Sequence, residues 1–402
     1  MMQTAYIYDA LRTPRGKGRD GGALNAVTPV ELQKALIAAA LQRNDIEGAA
    51  IGDLVLGCVT QVGEQGGNIA KVAALLSDLP SSVSGITLNR YCSSGLDACN
   101  VAAMQVMTGV QELVLAGGVE SMSRVPMLAD KASFYTDPAI VRAAPFVPMG
   151  LAADLVASLD GVSREECDAY ALQSQQRAAT AQSGGHFAKS LIAIENRETG
   201  ASVSADESVR GDITPEKLAG FDPLFVDFGK KGYEDAFKAA FPDLGEMRYV
   251  HHVGNSPGIV DGASLVVIGS AAAGEHMSSK PRARIHTMVN ACANEMLALT
   301  GGIDAADVAL RKAGMTHGDV DLVEFNEAFA AVSIKFVRDT GWDADRVNVN
   351  GGAIALGHAM GATGASLIGT VLDELERRDL TIGLVAISGA AGIGAATIIE
   401  RV

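Results

Sequence analysis

The sequence predicts an α/β protein made of two similar halves, with a mainly helical segment inserted between them. Three observations carry this. Short β-rich runs alternate with helical patterns from AYIYDA at 5–10 to ELVLAGG at 112–118, which is the grammar of buried strands joined by crossover helices. The same alternation returns from ARIHTMV at 283–289 to GLVAISGAAGIGAATIIE at 383–400, the mark of an internal duplication. Between the two, residues 120–250 lose the strand rhythm and carry Met, Pro, Gly and amphipathic stretches such as SREECDAYALQSQQRAATAQ.

Taken in order, the first half reads as strand AYIYDA, helix PVELQKALIAAALQRN, strand DLVLGCV, helix NIAKVAALLS, strand GITLN, helix CSSGLDACNVAAMQVMTG and strand ELVLAGG. The second half reads as strand ARIHTMV, helix AADVALRKAG, strand DLVEF with the helix after it, strand VNVN, helix GATGASLIGTVLDELERR and the closing strands. This divides the chain into a first core half, 1–119, completed by 250–277, an insert at 120–249, and a second core half at 278–402. Each half also places a strand ending in Asn, ITLN and VNVN, just before a helix start rich in small residues. Cys92 and His358 hold comparable places in the two.

Composition narrows the class. A chain of 402 residues exceeds one ordinary core. With 48% apolar and only 20% charged residues it is globular. A net charge of −15 argues against a general polyanion-binding surface, because nucleic-acid affinity rests on summed Lys and Arg contacts to phosphate. Five cysteines without metal spacing, Cys58, Cys92, Cys99, Cys167 and Cys292, read as reduced thiols. The opening MMQTAYIYDALRTPRGKG lacks signal-peptide character, and no apolar run reaches membrane-spanning length. A cytoplasmic home without membrane or nucleic-acid partners is expected.

Four clusters carry chemistry. Cys92 directly follows a predicted strand and opens a predicted helix, where unpaired backbone N–H groups favour thiolate, and Ser93, Ser94 and Gly95 leave room for a ligand. The other four cysteines read as packing residues. His358 sits within NGGAIALGHAMGATG, where glycine density admits a second backbone or a ligand; it reads either as scaffold or as a general base. A dinucleotide loop is disfavoured, since the glycine spacing does not match. Asn326 and Glu327 end the strand DLVEF, positioned to hold a water or polarise a carbonyl, or to cap the next helix. The turn SGAAGIGAA aims backbone N–H groups at an oxyanion, with Ser388 its one reactive side chain. Adjacent His251 and His252 do not read as a metal site, because neighbours in an extended run point apart.

Cys92-Ser93-Ser94, Asn326-Glu327-Ala328-Phe329, Gly357-His358 and the terminal glycine-rich turn stand in the order and spacing of the thiolase family, which the chain resembles over almost its whole length. YDALRTPRGKGRDGGAL, ESMSRVPM and GNSPGIVDGAS extend the resemblance. It implies a duplicated, five-layered αβαβα core with an inserted loop domain, in a homodimer or homotetramer. It also implies an acyltransferase that cleaves 3-oxoacyl-CoA with coenzyme A or condenses two acyl-CoA, as in fatty-acid β-oxidation. Coenzyme A is then a substrate, and no resident cofactor or metal is implied. Cys92 would be the acyl-carrying nucleophile. His358 would activate it and, with a water on Asn326, hold the enolate oxygen, while the N–H groups of Cys92 and Ala390 would form the oxyanion site. Met149, Ser256 and Phe329 would line the path of the pantetheine arm.

The sequence departs from the family at five places. Ser388 stands where thiolases carry a second catalytic cysteine, and Ala390 where they carry Gly. A serine hydroxyl is a poor proton shuttle at neutral pH, so the alternative is a thiolase-like acyl-CoA-binding protein or an acyltransferase impaired in thiolysis. Ala359 follows His358 where many relatives have Pro, Asp222 replaces a basic residue near coenzyme A, and Pro257 replaces a serine that touches pantetheine.

Overall fold

The computed structural model describes residues 3–144 and 146–402. Its strands in chain order are β1 (Tyr6–Arg12), β2 (Gly16–Lys17), β3 (Asp53–Gly57), β4 (Ile86–Leu88), β5 (Leu113–Ser121), β6 (Ile194–Glu195), β7 (Ser202–Val203), β8 (Val260–Gly269), β9 (Ala283–Cys292), β10 (Leu322–Phe325), β11 (Ile382–Ser388) and β12 (Ile393–Arg401). All but β6 and β7 join one sheet, in the order β10-β11-β12-β9-β1-β8-β5-β3-β4, with β2 on β8. Among the described residues, two paired positions, Tyr6 with Arg284 and Ile7 with Ala283, connect the two halves of this sheet. Each half mixes parallel pairs (β3 with β4 and β5; β10 with β11) with antiparallel ones (β5 with β8; β12 with β9).

Local signals explain the elements. Helix Pro29–Asn44 begins at a Thr28/Glu31 capping box with Pro at its first position, and ends at Asp45 in the left-handed region, φ 51°. Strand β5 is buried at all nine positions, as a strand covered on both faces must be.

Helices Ser94–Met107 and Met360–Arg378 lie between the sheet halves. The second is buried at every residue from Met360 through Leu375, the mark of a helix with no solvent face. They meet through glycine. A β-carbon on Gly95 would come within 2.6 Å of the Gly361 carbonyl, and one on Gly364 within 2.3 Å of Leu96 N. Any larger residue would push the helices apart. Leu96, Cys99, Val106, Leu367, Ile368 and Leu372 pack this middle layer against strands of both halves. Helices Pro29–Asn44 and Ile69–Leu76 cover the outer face of one half, and Gly301–Ala313 and Ala330–Thr340 that of the other. The order is helix, sheet, helix, sheet, helix.

One reading of the sequence needs correction. VNVN is not a strand: only Val347 bridges to Val323, and Asn348 turns the chain at φ 49°. The Asn348 side chain takes the place of a strand partner, accepting from Phe325 N at 2.9 Å and donating to Phe325 O at 2.8 Å. Within 250–277, the strand β8 begins at Val260 and is buried at all ten positions.

The segment between the halves is largely helical, its longest members being Met149–Leu159 and Arg164–Ser183. It docks on the core through buried polar pairs. His251 Nδ1 bonds Asp154 Oδ1 at 2.7 Å, and His252 Nε2 bonds Asp168 Oδ1 at 2.7 Å. The other ring nitrogen of each accepts a backbone N–H, from Ala331 and from Gly254 respectively. Every ring nitrogen is thus committed to a protein contact. Among the described residues no cluster of metal-binding side chains occurs, and no helix is long and apolar enough to cross a membrane.

Candidate active site

The turn carrying Cys92 is held from three sides. Tyr91 is in the left-handed region, φ 49°, a costly conformation for an aromatic residue. Tyr91 N donates to Asn89 Oδ1 at 2.8 Å, Arg90 N donates to Ser94 Oγ at 2.8 Å, and Ser94 Oγ donates to Tyr91 O at 2.6 Å. These bonds present Cys92 two residues before the N-terminus of helix Ser94–Met107. Ser93 Oγ then donates to Ile387 O at 3.2 Å, tying the turn to the end of β11. A β-carbon on Gly389 would lie 3.6 Å from Cys92 N, so the Gly389–Ala390 backbone rests against the Cys92 turn.

His358 stands two residues before the N-terminus of the facing middle-layer helix. Gly357, at φ 90°, makes the turn, and His358 N donates to Gly258 O at 2.9 Å. His358 Nδ1 lies 2.8 Å from Thr363 Oγ1, which itself lies 2.9 Å from Ala359 O. The hydroxyl has one hydrogen and gives it to that carbonyl, so Nδ1 carries the proton that Thr363 accepts. The tautomer this network assigns leaves Nε2 bare, and Nε2 is buried without a protein partner among the described residues.

Asn326 closes the group. Its N–H donates to Ala386 O on β11 at 3.0 Å, while its side-chain Oδ1 and Nδ2 are buried with no protein partner among the described residues. Asn326 and Thr363 share the wall of a cavity of about 10 Å³ with Arg15 and Glu324, room for about one water. Glu327 works differently: it accepts from Ser174 Oγ at 2.7 Å, Tyr170 OH at 3.2 Å and Ile354 N at 3.0 Å. It anchors the chain leading to His358.

Electrostatics overturns one expectation. Burial, reinforced by the nearby Glu120 charge, pushes the Cys92 thiol up to about 12, where the helix N-terminus alone would have lowered it. The resting group is the thiol. Glu120 accepts from Val59 N, Thr60 N, Gln65 Nε2 and Gly361 N at 2.8–3.1 Å. All four partners donate and none accepts, so the carboxylate is the form this pocket fits, although burial raises its pKa. Burial and the Arg15 cation hold His358 down to about 3. At neutral pH the imidazole is therefore neutral and the thiol protonated.

The remaining expected site residues are spread. Ser388 is fully buried, and its Oγ accepts from Gly302 N at 2.9 Å, at the start of helix Gly301–Ala313. On β11 it shares parity with Leu384 and Ala386, which pack outward, whereas Val385 and Ile387 pack towards the middle helices. No hydrogen bond joins Ser388 to Cys92, His358 or Asn326 among the described residues. Met149 and Phe329 lie in the outer apolar cluster, with Phe329 6.0 Å from Phe225 and 5.2 Å from His251 between ring centres. Ser256 instead lines a separate surface pocket, which neither of them reaches.

Sequence reasoning missed Thr363, Arg15, Glu324 and Glu120. A lone acid in each of the buried strands LVEF and LVLAGGVES was the available signal for Glu324 and Glu120. Thr363 and Arg15 offered none, since their roles arise only from tertiary approach.

Comparison with known proteins shows the family. Residues 5–232 match the thiolase N-terminal domain family and residues 279–401 the thiolase C-terminal domain family. A 3-ketoacyl-CoA thiolase of Cronobacter sakazakii is 36% identical over 408 residues, covering 100% of both chains. A beta-ketoadipyl-CoA thiolase of Pseudomonas aeruginosa is 37% identical over 423 residues with the same coverage. The crystal structure of the Bacillus anthracis acetyl-CoA acetyltransferase superposes with a TM-score of 0.85 at 33% identity, covering 100% of this chain and 99% of that one. With both family domains matched in order and the sequence and fold shared end to end, the chain belongs to the thiolase family and is an acyltransferase of that class.

Proposed function

We propose that the protein cleaves 3-oxoacyl-CoA with coenzyme A, or runs the reverse condensation, through an acyl group carried on Cys92. The observation that supports it best is the bare, buried Nε2 of neutral His358, which stands two residues before one middle-layer helix as the protonated Cys92 stands two residues before the other.

In the cleavage direction, His358 Nε2 takes the Cys92 proton and the thiolate attacks the 3-oxo carbon. The N–H groups of Cys92 and Ala390, which donate to no backbone acceptor among the described residues, would hold the tetrahedral oxyanion. Breaking the carbon–carbon bond leaves acyl-Cys92 and the enolate of acetyl-CoA, whose oxygen Asn326 and His358 would hold. The imidazolium returns its proton to the enolate carbon. Coenzyme A then gives its thiol proton to the same Nε2 and attacks acyl-Cys92. Cys92 leaves as thiolate and recovers that proton.

One base thus closes both half-reactions, and Ser388 serves by anchoring the Gly389–Ala390 turn to Gly302 N. The second reading, acylation without efficient thiolysis, is favoured by Ser388 alone. Steady-state cleavage of acetoacetyl-CoA and longer 3-oxoacyl-CoA tests the proposal, with Cys92→Ala as control. Cleavage that needs both Cys92 and free coenzyme A supports it, and identical rates in the control contradict it.

A homodimer is part of the same reading. β4 ends the sheet at an open edge with Ile86 44% exposed, and an unpaired edge is a template for a second copy.

A further inference from the structure

Arg15 and Glu324 are buried ionisable residues, 4% and 3% exposed, that the steps above do not use. Strand β10 sets Glu324 in place. Val323 and Phe325 pack into the outer apolar cluster, so Glu324 between them points the other way, towards the middle layer. There it lines the cavity of about 10 Å³ together with Leu367 and Thr370 of helix Met360–Arg378. Arg15, from the turn after β1, lines the same cavity. Its backbone is clamped, with its N–H donating to Asp206 Oδ1 at 2.9 Å and its carbonyl accepting from Glu207 N at 2.9 Å. Among the described residues, neither the guanidinium of Arg15 nor the carboxyl of Glu324 makes a hydrogen bond to protein.

Asn326 lines this cavity too, and both ends of its amide are buried without a protein partner among the described residues. Neither Cys92 nor His358 is part of the wall. The space is therefore separate from the one in which a thioester would meet those two groups. It has room for about one water, which needs two to four polar partners. Burial lowers Arg15 to about 10, which still leaves it a cation at neutral pH. Burial, then the charges of Glu327 and Glu374, raises Glu324 well above the usual carboxylate range, against the opposing Arg15 and Arg177 cations. Both groups thus meet the cavity as donors. A water has two lone pairs, and once a guanidinium N–H and a carboxylic O–H fill them, it has only hydrogens to offer Asn326.

We propose that Arg15 is a positioning residue: with Glu324 it holds one water behind Asn326, and this water donates to Oδ1, which turns Nδ2 towards the enolate oxygen. The proposal rests on the acyl-Cys92 reading above and adds to it. The water is distinct from any that would itself carry the enolate oxygen. An amide left free could present either end, and the wrong one would set the lone pairs of Oδ1 against a growing negative charge. Only breaking or making the carbon–carbon bond develops an enolate. Exchange of an acyl group between thiols uses Cys92, His358 and the oxyanion N–H groups, and does not need the amide.

The test compares two rates on the full chain at about pH 8, where an imidazole is neutral with or without the cation. One is cleavage of acetoacetyl-CoA, which passes through the enolate. The other is exchange of acetyl between acetyl-CoA and labelled coenzyme A, which does not. Arg15→Met and Glu324→Leu should each lower cleavage about ten- to hundredfold and exchange less than about threefold. Glu324→Gln, which keeps a donor at the cavity, should recover most of the loss. In an Asn326→Ala background Arg15→Met should cost cleavage nothing further, as expected of two groups acting as one unit. A crystal structure of the wild type, which depends on no variant, should show a water within hydrogen-bond reach of Arg15, Glu324 and Asn326. Equal loss of both rates in Arg15→Met and Glu324→Leu, undiminished cleavage in both, or a cavity holding no water would overturn the proposal. Each of these leaves the acyl-Cys92 reading standing while exchange still requires Cys92. If the wild type shows no exchange that depends on Cys92, that reading falls, and the positioning role falls with it.

Discussion

Thr363 Oγ1 lies 2.8 Å from His358 Nδ1 and passes its own hydrogen to Ala359 O, 2.9 Å away. That pair sets the tautomer of the imidazole and leaves Nε2 free to accept, as the proposed base must. Thr363→Val keeps the shape and removes the acceptor, so the imidazole loses its fixed proton position. The expected result is a fall of about ten- to hundredfold in kcat with KM little changed, because general-base catalysis contributes about 10²–10⁴ in rate. Thr363→Ser should recover most of the loss. Paired kcat and KM values on the two variants check it.

The pH dependence follows from two displaced groups. Burial and Arg15 hold His358 down to about 3, so it stays neutral above that and is lost as a base only as pH falls through it. Burial and Glu120 push Cys92 up to about 12, so the thiol stays protonated at every ordinary pH. The kcat/KM profile should therefore show no histidine limb between about pH 5 and 8, where an ordinary imidazole titrates. Arg15→Met removes the cation that opposes the imidazolium. The pKa of His358 rises, and the acid limb moves to higher pH. A profile of the wild type already falling near pH 6.5 would contradict the assignment.

Alkylation of Cys92 gives an independent reading of the same field. A free thiol is mostly thiolate above its reference pKa of about 8.5. Cys92 should instead react slowly with iodoacetamide at neutral pH, with a rate that still climbs beyond pH 9. Glu120→Gln should raise the neutral-pH rate by removing the nearby negative charge. Mass-resolved labelling at Cys92 is the measurement.

Ser388 separates the single-base route from a two-residue relay. Ser388→Ala removes the acceptor for Gly302 N, leaving a buried N–H unpaired at a cost of about 1–3 kcal/mol. The urea midpoint should fall accordingly, while kcat for thiolysis should change less than about tenfold. A loss comparable to that of His358→Ala would place Ser388 in the proton path.

The insert is held by a buried ion pair. Arg12 donates to Asp206 through both terminal nitrogens at 2.8 Å, with both side chains almost fully buried. Asp206→Asn leaves an uncompensated buried guanidinium, which costs about 3–5 kcal/mol in comparable sites. The expected outcomes are a lowered urea midpoint and faster proteolysis near residues 198–212, the stretch that also carries Arg210.

Much of this was legible in the sequence, and the reasons it was not everywhere are physical. Helix Pro29–Asn44 was readable to the residue because periodicity and its bounding residues agree. VNVN failed because alternating Val and Asn fits a strand, whereas the Asn348 amide replaces the strand's hydrogen bonds by itself. Cys92, His358 and Asn326 stood out as candidates because each lies at a strand end or a helix start, Cys92 and His358 within runs of small residues. The direction of the Cys92 shift was not, since it depends on Glu120, 28 positions away, and on burial by the opposite half. The two candidate substrate residues Met149 and Phe329 were chosen by resemblance alone. The structure sets them in the outer apolar cluster, and neither lines the pocket that Ser256 lines.

The central claim is that Cys92 carries the acyl group and His358 alone moves the protons. Intact-mass measurement after mixing with acetoacetyl-CoA, followed by a chase with free coenzyme A, addresses it directly. The account predicts one acetyl adduct that is absent in Cys92→Ala and is cleared rapidly by coenzyme A, in the wild type and in Ser388→Ala alike. An adduct that forms but resists coenzyme A would contradict the single-base route, and no adduct from any 3-oxoacyl-CoA would contradict the nucleophile.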